Sequence, residues 1–205
     1  MYKVFVNNKP IIITTDQYLV DTNIPHKVLT NYTEQDLRAA IDELQYKNNY
    51  RVVYILGNNL KQQWKDFNKY FIMIDAAGGL VKNIDSKYLF IKRNGYWDMP
   101  KGKVEKDEKI RDAATREVEE ETGVSNLTIH SEIGCTYHIF MSHSKFYIKR
   151  TYWFEMTYEG NQTLVPQISE GIVQAEWIGY DDILYSVLPN TYSNINHIVS
   201  TYFKL

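Results

Sequence analysis

Three glutamates in the middle of the chain are the residues best suited to chemistry. Glu120 and Glu121 follow Glu117 by three and four positions, and residues at these spacings share one face of a helix. Carboxylates placed so closely repel one another unless a cation lies among them. Clustered carboxylate oxygens suit Mg²⁺ or Mn²⁺ better than zinc. The spacing therefore predicts a magnesium or manganese site on a helix.

The residues around these glutamates argue against a simple acidic surface helix. A solvated helix is the ordinary interpretation of a glutamate run, but Ile110, Ala114 and Val118 recur every four residues and predict a packed opposite side. The fixed residues of the segment are Gly102, Glu108, Arg116, Glu117, Val118, Glu120, Glu121, Gly123 and Val124. Such a combination at set spacings has a chance probability on the order of 10⁻⁷ in a chain of average composition. Chance does not explain the segment.

The segment Gly102 to Val124 resembles the Nudix box at every fixed position. The box reads glycine, five residues, glutamate, seven residues, then Arg-Glu-aliphatic-any-Glu-Glu-any-Gly-aliphatic. The resemblance implies an α/β fold, a Nudix α/β/α sandwich with a mixed sheet, over residues 71–205. It also implies a hydrolase that cleaves a phosphoanhydride bond in a nucleoside diphosphate linked to another group, with Mg²⁺, or alternatively Mn²⁺, as the cofactor.

The resemblance also assigns roles to individual residues. The carbonyl of Gly102 and the carboxylates of Glu117, Glu120 and Glu121 would hold metal, and Glu170 resembles the distal acid that joins them in position. Arg116 and Glu108 would orient the catalytic carboxylates, since a guanidinium can clamp a carboxylate with two hydrogen bonds. The general base stays open among Glu117, Glu120 and Glu170. An exposed loop position without a role is the alternative for Glu170.

Basic residues around the start of the box point to a polyphosphate substrate. The stretch from Trp97 to Glu105 resembles the Pro-Lys-Gly lead-in of diadenosine polyphosphate and diphosphoinositol polyphosphate hydrolases. The cations predicted to gather at the entrance of the site and bind substrate are Lys92, Arg93, Lys101 and Lys103. A solvated loop is the alternative.

Two aromatic residues after the box are candidates for contact with a nucleobase. Tyr137 and His138 lie at roughly the place where members of the family stack a base, and such stacking contributes about 1–3 kcal/mol per base. Burial in the core is the alternative for either residue.

Composition excludes several classes of protein. With 44% hydrophobic and 23% charged residues in 205, the chain has the composition of a soluble globular protein. A net charge of −2 argues against bulk nucleic-acid binding. No stretch approaches the roughly 18 apolar residues of a membrane span, and the first residues lack the apolar run of a signal peptide. These features predict a cytoplasmic protein with a small-molecule nucleotide or polyphosphate substrate.

The pattern of elements changes near residue 70. Residues 1–70 are predicted to form a small α/β N-terminal domain of unknown role, with a helix capped by Thr33 and a second over 60–70. Residues 71–205 alternate many strands, including 71–74 and 76–82, with the box helix and a last helix over 181–203. Cys135, the single cysteine, is predicted to be a buried strand residue.

Two further hypotheses compete with or extend the enzyme hypothesis. A Nudix-fold nucleotide sensor would bind such a nucleotide without turnover, although the intact glutamates of the box disfavour it. The N-terminal region would, in the other hypothesis, bind a partner or contribute to a homodimer, because about 70 residues bury few side chains of their own.

Overall fold

The protein is described by a computed structural model over residues 1–47 and 49–205, and its contacts group into two compact units. The first unit comprises residues 1–74 and 137–149, and the second comprises 75–136 and 150–205. Residues 137–149 thus belong with the N-terminal unit although they follow the box. The domain boundary predicted at residue 70 stays a proposal.

The first unit is a mixed sheet with two helices. Its strands are β1 (Tyr2–Val6), β2 (Lys9–Thr14), β3 (His26–Leu29), β4 (Val52–Leu56) and part of β9 (Thr128–Ser142). The strand order is β9-β1-β2-β4-β3. β2, β4 and β3 run parallel, whereas β1 is antiparallel to β2 and parallel to β9. The sequence gives little sign of β3, because its four residues include a histidine and a lysine.

The helices of the first unit begin where polar side chains cap them. Helix α1 (Glu34–Asp42) starts after Thr33, whose hydroxyl accepts from the Asp36 backbone N–H, while the Asp36 carboxylate accepts from the Thr33 N–H. This reciprocal pair confirms the predicted cap. Helix α2 (Leu60–Asn68) begins after Asn59, whose side chain accepts from the Gln62 N–H.

The second unit is also built on a sheet. Its strands are β6 (Tyr88–Arg93), β7 (Tyr96–Asp98), β8 (Lys101–Lys103), β11 (Ile172–Ile178), the start of β9, and most of β5 (Ile72–Asn83) and β10 (Lys145–Tyr158). Residues 72–74 of β5 and 145–149 of β10 belong to the first unit. The order is β11-β6-β5-β10-β9, with β7 paired to β6 and β8 to β5. The two strands predicted over 71–74 and 76–82 are one strand. Asp75 does not interrupt it, because its carboxylate receives two hydrogen bonds from Arg150, at 2.8 and 3.0 Å.

Helices pack on both faces of this second sheet. Adjacent strand residues fall into different apolar clusters, so Leu80, Phe90 and Trp153 pack with α5 (Ser193–Phe203), whereas Val81, Leu89 and Phe154 pack with α3 (Ile110–Thr122). Because neighbouring strand side chains point to opposite faces, this division confirms the α/β/α layering of the second unit.

The helix predicted over 181–203 is broken in the structure. A single α-helical turn, α4 (Tyr180–Asp182), passes into π-helical residues Ile183–Val187 and a 3₁₀ turn, Leu188–Asn190, before α5. Pro189 lies in that 3₁₀ turn and has no N–H to continue a helical ladder. Within the described residues, no helix combines the length and apolarity needed to cross a membrane.

The end of α3 depends on one glycine. Gly123 has φ of +76°, and its N–H donates to the Glu119 carbonyl at 2.8 Å. A Cβ at Gly123 would lie 2.9 Å from the Cβ of Val165, whereas Gly171, with φ of +74°, has no atom within 4 Å of such a Cβ. The two glycines therefore share a left-handed conformation but differ in their surroundings.

Substituting these two glycines separates backbone strain from crowding. Gly171→Ala should lower the free energy of unfolding by about 1 kcal/mol through the left-handed conformation alone. Gly123→Ala should cost about 2–3 kcal/mol, because the contact with Val165 adds overpacking. Urea denaturation of both variants measures the difference, and equal costs would show that the Val165 contact relaxes freely.

Candidate active site

The box glutamates lie at different depths along α3. Glu117 and Glu121 are 8% and 0% exposed, on the side that also buries Ala114 and Val118, while the Glu120 side chain is 49% exposed. The spacing correctly places Glu117 and Glu121 one turn apart. The three carboxylates differ in burial, because Glu120 lies at the solvent edge of the helix.

Arg116 connects the carboxylates at the outer side of the site. Its Nε and Nη2 donate to the two oxygens of Glu108, at 2.8 and 2.9 Å, and Nη1 donates to Glu117 at 2.7 Å and to Glu120 at 3.1 Å. Nη2 also donates to the Lys103 carbonyl at 3.1 Å. The bonds from Arg116 lower the pKa of Glu108. The guanidinium thus holds Glu108 bidentately and fixes Glu117 and Glu120 from one side.

Glu117 packs against the glycine that opens the box. A Cβ on Gly102 would overlap the Glu117 carboxylate, so only glycine permits this approach. Burial raises the pKa of Glu117, the bond from Arg116 opposes this, and the charges of Glu120 and Glu170 raise it further. Glu170, at the end of the 3₁₀ turn Ile168–Glu170, is therefore close enough to Glu117 to act on it electrostatically.

Glu121 has one carboxylate oxygen that is held and one that is open. Its Oε2 accepts from the Lys101 backbone N–H at 2.8 Å. Its Oε1 is buried without a hydrogen-bond partner among the described residues, and Arg93 Nη1, at 3.8 Å, is too distant for a hydrogen bond. Burial raises the pKa of Glu121 to about 7. A bound cation would compensate a buried carboxylate oxygen that has no hydrogen-bond partner.

The donors around α3 fit a hard divalent cation. Carboxylates and a glycine carbonyl supply only oxygen, which is the kind of ligand that Mg²⁺ prefers. The Oε1 of Glu121 has no hydrogen-bond partner in the described part of the chain, and the Glu117 carboxylate lies against Gly102, so these oxygens are candidate ligands. Across residues 1–47 and 49–205, no three acidic, histidine or cysteine side chains form a ready metal-binding group. Arg116 holds Glu117 and Glu120, whereas the Lys101 backbone N–H holds Glu121.

The four predicted substrate cations divide into two pairs. Lys103 is exposed and Lys92 is half-buried, with its Nζ 5.2 Å from the centre of the Trp97 ring. Lys101 and Arg93 instead donate to Asp98 Oδ2, from Nζ at 2.8 Å and from Nη2 at 3.0 Å. Sequence reasoning missed Asp98, although a carboxylate three residues before Lys101 was a visible signal. Substrate binding by these cations stays a prediction.

Tyr137 and His138 belong to the first unit. They pair with Val4 and Phe5 of β1, and the Tyr137 ring lies edge-on to Trp64 at 4.8 Å. Tyr137 thus packs on the core of the first unit. Contact of either residue with a nucleobase stays a prediction.

Comparison with known proteins decides the family. A model of the NUDIX domain matches residues 73–199, which is more than half of the chain and includes the whole site around α3. The chain belongs to the Nudix family. This Nudix chain is 27% identical over 124 residues to "Nudix hydrolase 10" of Arabidopsis thaliana, covering 59% of this chain and 43% of that protein.

A second relative shares part of the sequence, and two solved structures share the fold. RNA pyrophosphohydrolase of Pelagibacter ubique (strain HTCC1062) is 39% identical over 62 residues, 28% of this chain and 39% of that protein. The Nudix chain spans about two fifths of the length of the curated relatives it matches. MutT protein from Methanosarcina mazei Go1 and a C. elegans Ap4A hydrolase complex superpose with TM-scores of 0.51 and 0.50 at 19% identity. They cover 65% and 64% of this chain and 95% and 96% of theirs, and they confirm the Nudix fold.

The link between Arg116 and Glu117 can be measured without metal. Arg116→Met should lower the free energy of unfolding by about 2 kcal/mol, because it removes charge-assisted bonds and leaves buried Glu117 uncompensated. Glu117→Gln in the same background should recover part of that loss, with a coupling of about 1 kcal/mol in a double-mutant cycle. Strictly additive costs in chelator-treated protein would show that the pair contributes no stability.

Proposed function

We propose that this Nudix chain is a metal-dependent hydrolase that cleaves a phosphoanhydride bond in a nucleoside diphosphate linked to another group. The observation that carries the proposal is the open, buried Oε1 of Glu121, one helical turn from Glu117 against Gly102. A buried carboxylate oxygen without a partner is costly. A cation bound there would offset that cost.

The residues of the site have separate proposed tasks. The Gly102 carbonyl, Glu117, Glu120 and Glu121 would hold Mg²⁺, or Mn²⁺, and Glu170 would add a carboxylate from the far side. When bound, the cation supplies positive charge that neutralises the diphosphate. Glu108 anchors the Arg116 guanidinium through two bonds, and Arg116 in turn fixes the direction of Glu117. The cluster therefore keeps ligands oriented before substrate arrives.

A general base must reach the water molecule that attacks the phosphorus. Glu120 is the best placed of the candidates, because its side chain is half exposed and Arg116 holds it through a single 3.1 Å bond. Glu117 is more deeply buried and more tightly bound, at 2.7 Å. Glu170 is exposed and remains the alternative base.

The lead-in to the box favours substrates with several phosphates, such as dinucleoside polyphosphates. Lys103 and Lys92 are the cations of that region that Asp98 does not hold. One matched relative is named an RNA pyrophosphohydrolase, which fits cleavage of the same type of bond. A cytoplasmic location and a homodimer stay predictions from the sequence.

A substrate panel tests the proposal. The full chain, with Mg²⁺, would be incubated with diadenosine polyphosphates, nucleoside triphosphates, ADP-ribose and diphosphoinositol phosphates, and the products would be identified. We expect hydrolysis that a chelator abolishes and Mg²⁺ restores, strongest on the polyphosphates. Binding of a nucleotide without turnover of any compound would instead support the sensor.

Loss of a proposed metal ligand should remove activity without unfolding the protein. Glu120→Gln and Glu121→Gln should each lower kcat by about 10² or more at saturating Mg²⁺. Glu119→Gln is the matched control, because Glu119 occupies the variable position of the box and accepts from the Asn126 N–H instead. If either ligand variant kept kcat within about threefold of the wild type and an unchanged circular dichroism spectrum, its assignment would be wrong.

Lys103 should discriminate substrates by phosphate number. Lys103→Ala should raise KM for a diadenosine tetraphosphate more than for ADP-ribose, because an exposed cation contacts the additional phosphates. The difference should shrink as salt is added. Steady-state kinetics at two ionic strengths measures it. Equal changes in KM for both substrates would contradict the preference for polyphosphates.

A further inference from the structure

Asp98 holds two cations, and one of them, Arg93, lies 3.8 Å from the open oxygen of Glu121. The residue ends β7, is 2% exposed, and its Oδ2 accepts from Lys101 Nζ and from Arg93 Nη2. Its Oδ1 accepts from the Met99 backbone N–H at 2.8 Å. Every hydrogen bond that the structure gives this carboxylate comes from the lead-in or from the neighbouring strand β6.

The positive charges of the same two residues both act on Glu121. The Lys101 backbone N–H already holds Glu121 Oε2, and Arg93 Nη1 stands 3.8 Å from Oε1. A guanidinium or ammonium beside a buried carboxylate normally forms a short charge-assisted bond, at about 2.7–2.9 Å. Here the short bonds go to Asp98, at 2.8 and 3.0 Å, and Glu121 Oε1 is left open.

The four groups balance in charge when all are ionised. Arg93 and Lys101 contribute two positive charges, and Asp98 and Glu121 contribute two negative ones. Removing the charge of Asp98 would leave two cations for the single carboxylate of Glu121. A buried cation without its partner is costly, so Lys101 or Arg93 would then turn to Oε1.

We propose that Asp98 is a positioning residue for Glu121. Asp98 accepts hydrogen bonds from the Lys101 ammonium and from Nη2 of the Arg93 guanidinium, and so keeps Glu121 Oε1 accessible to a divalent cation. The inference rests on the proposed function, because it takes Glu121 to be a metal ligand. It assigns Asp98 no contact with substrate or with the metal.

Titration of the metal-free full chain with Mn²⁺ alone, followed by the electron paramagnetic resonance signal of free Mn²⁺, tests this role without turnover. Asp98→Asn keeps the shape of the side chain and should raise the Kd for Mn²⁺ about tenfold or more. Lys101→Met, which removes a competing cation, should bind Mn²⁺ no more weakly than the wild type. The triple variant Asp98→Asn with Lys101→Met and Arg93→Met leaves neither cation to turn to Glu121, and its Kd should return to within about threefold of the wild type.

The triple variant separates positioning from simple support of the fold. If Asp98 only stabilised the lead-in, adding Lys101→Met and Arg93→Met would not recover affinity, and a triple variant as weak as Asp98→Asn would overturn the inference. An unchanged Kd in Asp98→Asn would overturn it as well. If Asp98→Asn does not fold, Arg93→Met and Lys101→Met carry the test, and a tenfold loss of Mn²⁺ affinity in either would contradict competition.

A Glu121→Gln titration distinguishes failure of the inference from failure of the proposed function. Weaker Mn²⁺ binding in Glu121→Gln, combined with the Asp98→Asn loss and its recovery, supports both. If Glu121→Gln binds Mn²⁺ as tightly as the wild type, the metal site at Glu121 is wrong and the role of Asp98 falls with it. If Glu121→Gln binds weakly and Asp98→Asn binds normally, only the role of Asp98 is wrong.

Discussion

Burial of two carboxylates on one helix is the constraint around which the second unit is arranged. Glu117 and Glu121 are both almost inaccessible to solvent, and an ionised buried carboxylate is destabilising unless charge or hydrogen bonds compensate it. Different groups stabilise the two buried carboxylates. Glu117 receives a direct bond from Arg116, whereas Glu121 receives one backbone N–H and only a distant guanidinium. That difference leaves Glu121 Oε1 buried without a hydrogen-bond partner among the described residues, which is the observation behind the proposed metal site.

The segments before and after α3 both pack closely against this helix. At one end, β8 must come so close to Glu117 that only glycine fits at Gly102. At the other, Gly123 ends the helix, and the following segment returns so that the Val165 and Gln167 N–H groups donate to the last carbonyls of α3, at 2.8 and 3.2 Å. The same segment continues to Glu170, whose charge acts on Glu117.

The sequence predicts the features that depend on the spacing of residues along the chain. It does not reveal how deeply a side chain is buried or which distant residue it contacts. Helical spacing and a fixed motif were enough to find the box helix, the cap at Thr33 and the family. Spacing gives an angle around a helix axis, however, and it does not say that Glu120 lies at the solvent edge while Glu121 is fully buried. The continuity of β5 through Asp75 depends on Arg150, 75 residues away, which no local pattern reveals.

The lead-in shows why counting basic residues overstates the charge available to a substrate. Four cations near the box predict a strong positive patch, yet Asp98 neutralises part of it from within the fold. A cation that holds a buried carboxylate cannot turn to a phosphate without leaving that carboxylate uncompensated. In the proposed function, attraction of a polyphosphate therefore falls to Lys103 and Lys92, while Arg93 and Lys101 pair with Asp98. One short stretch of sequence thus carries both exposed and paired cations, which composition alone cannot distinguish.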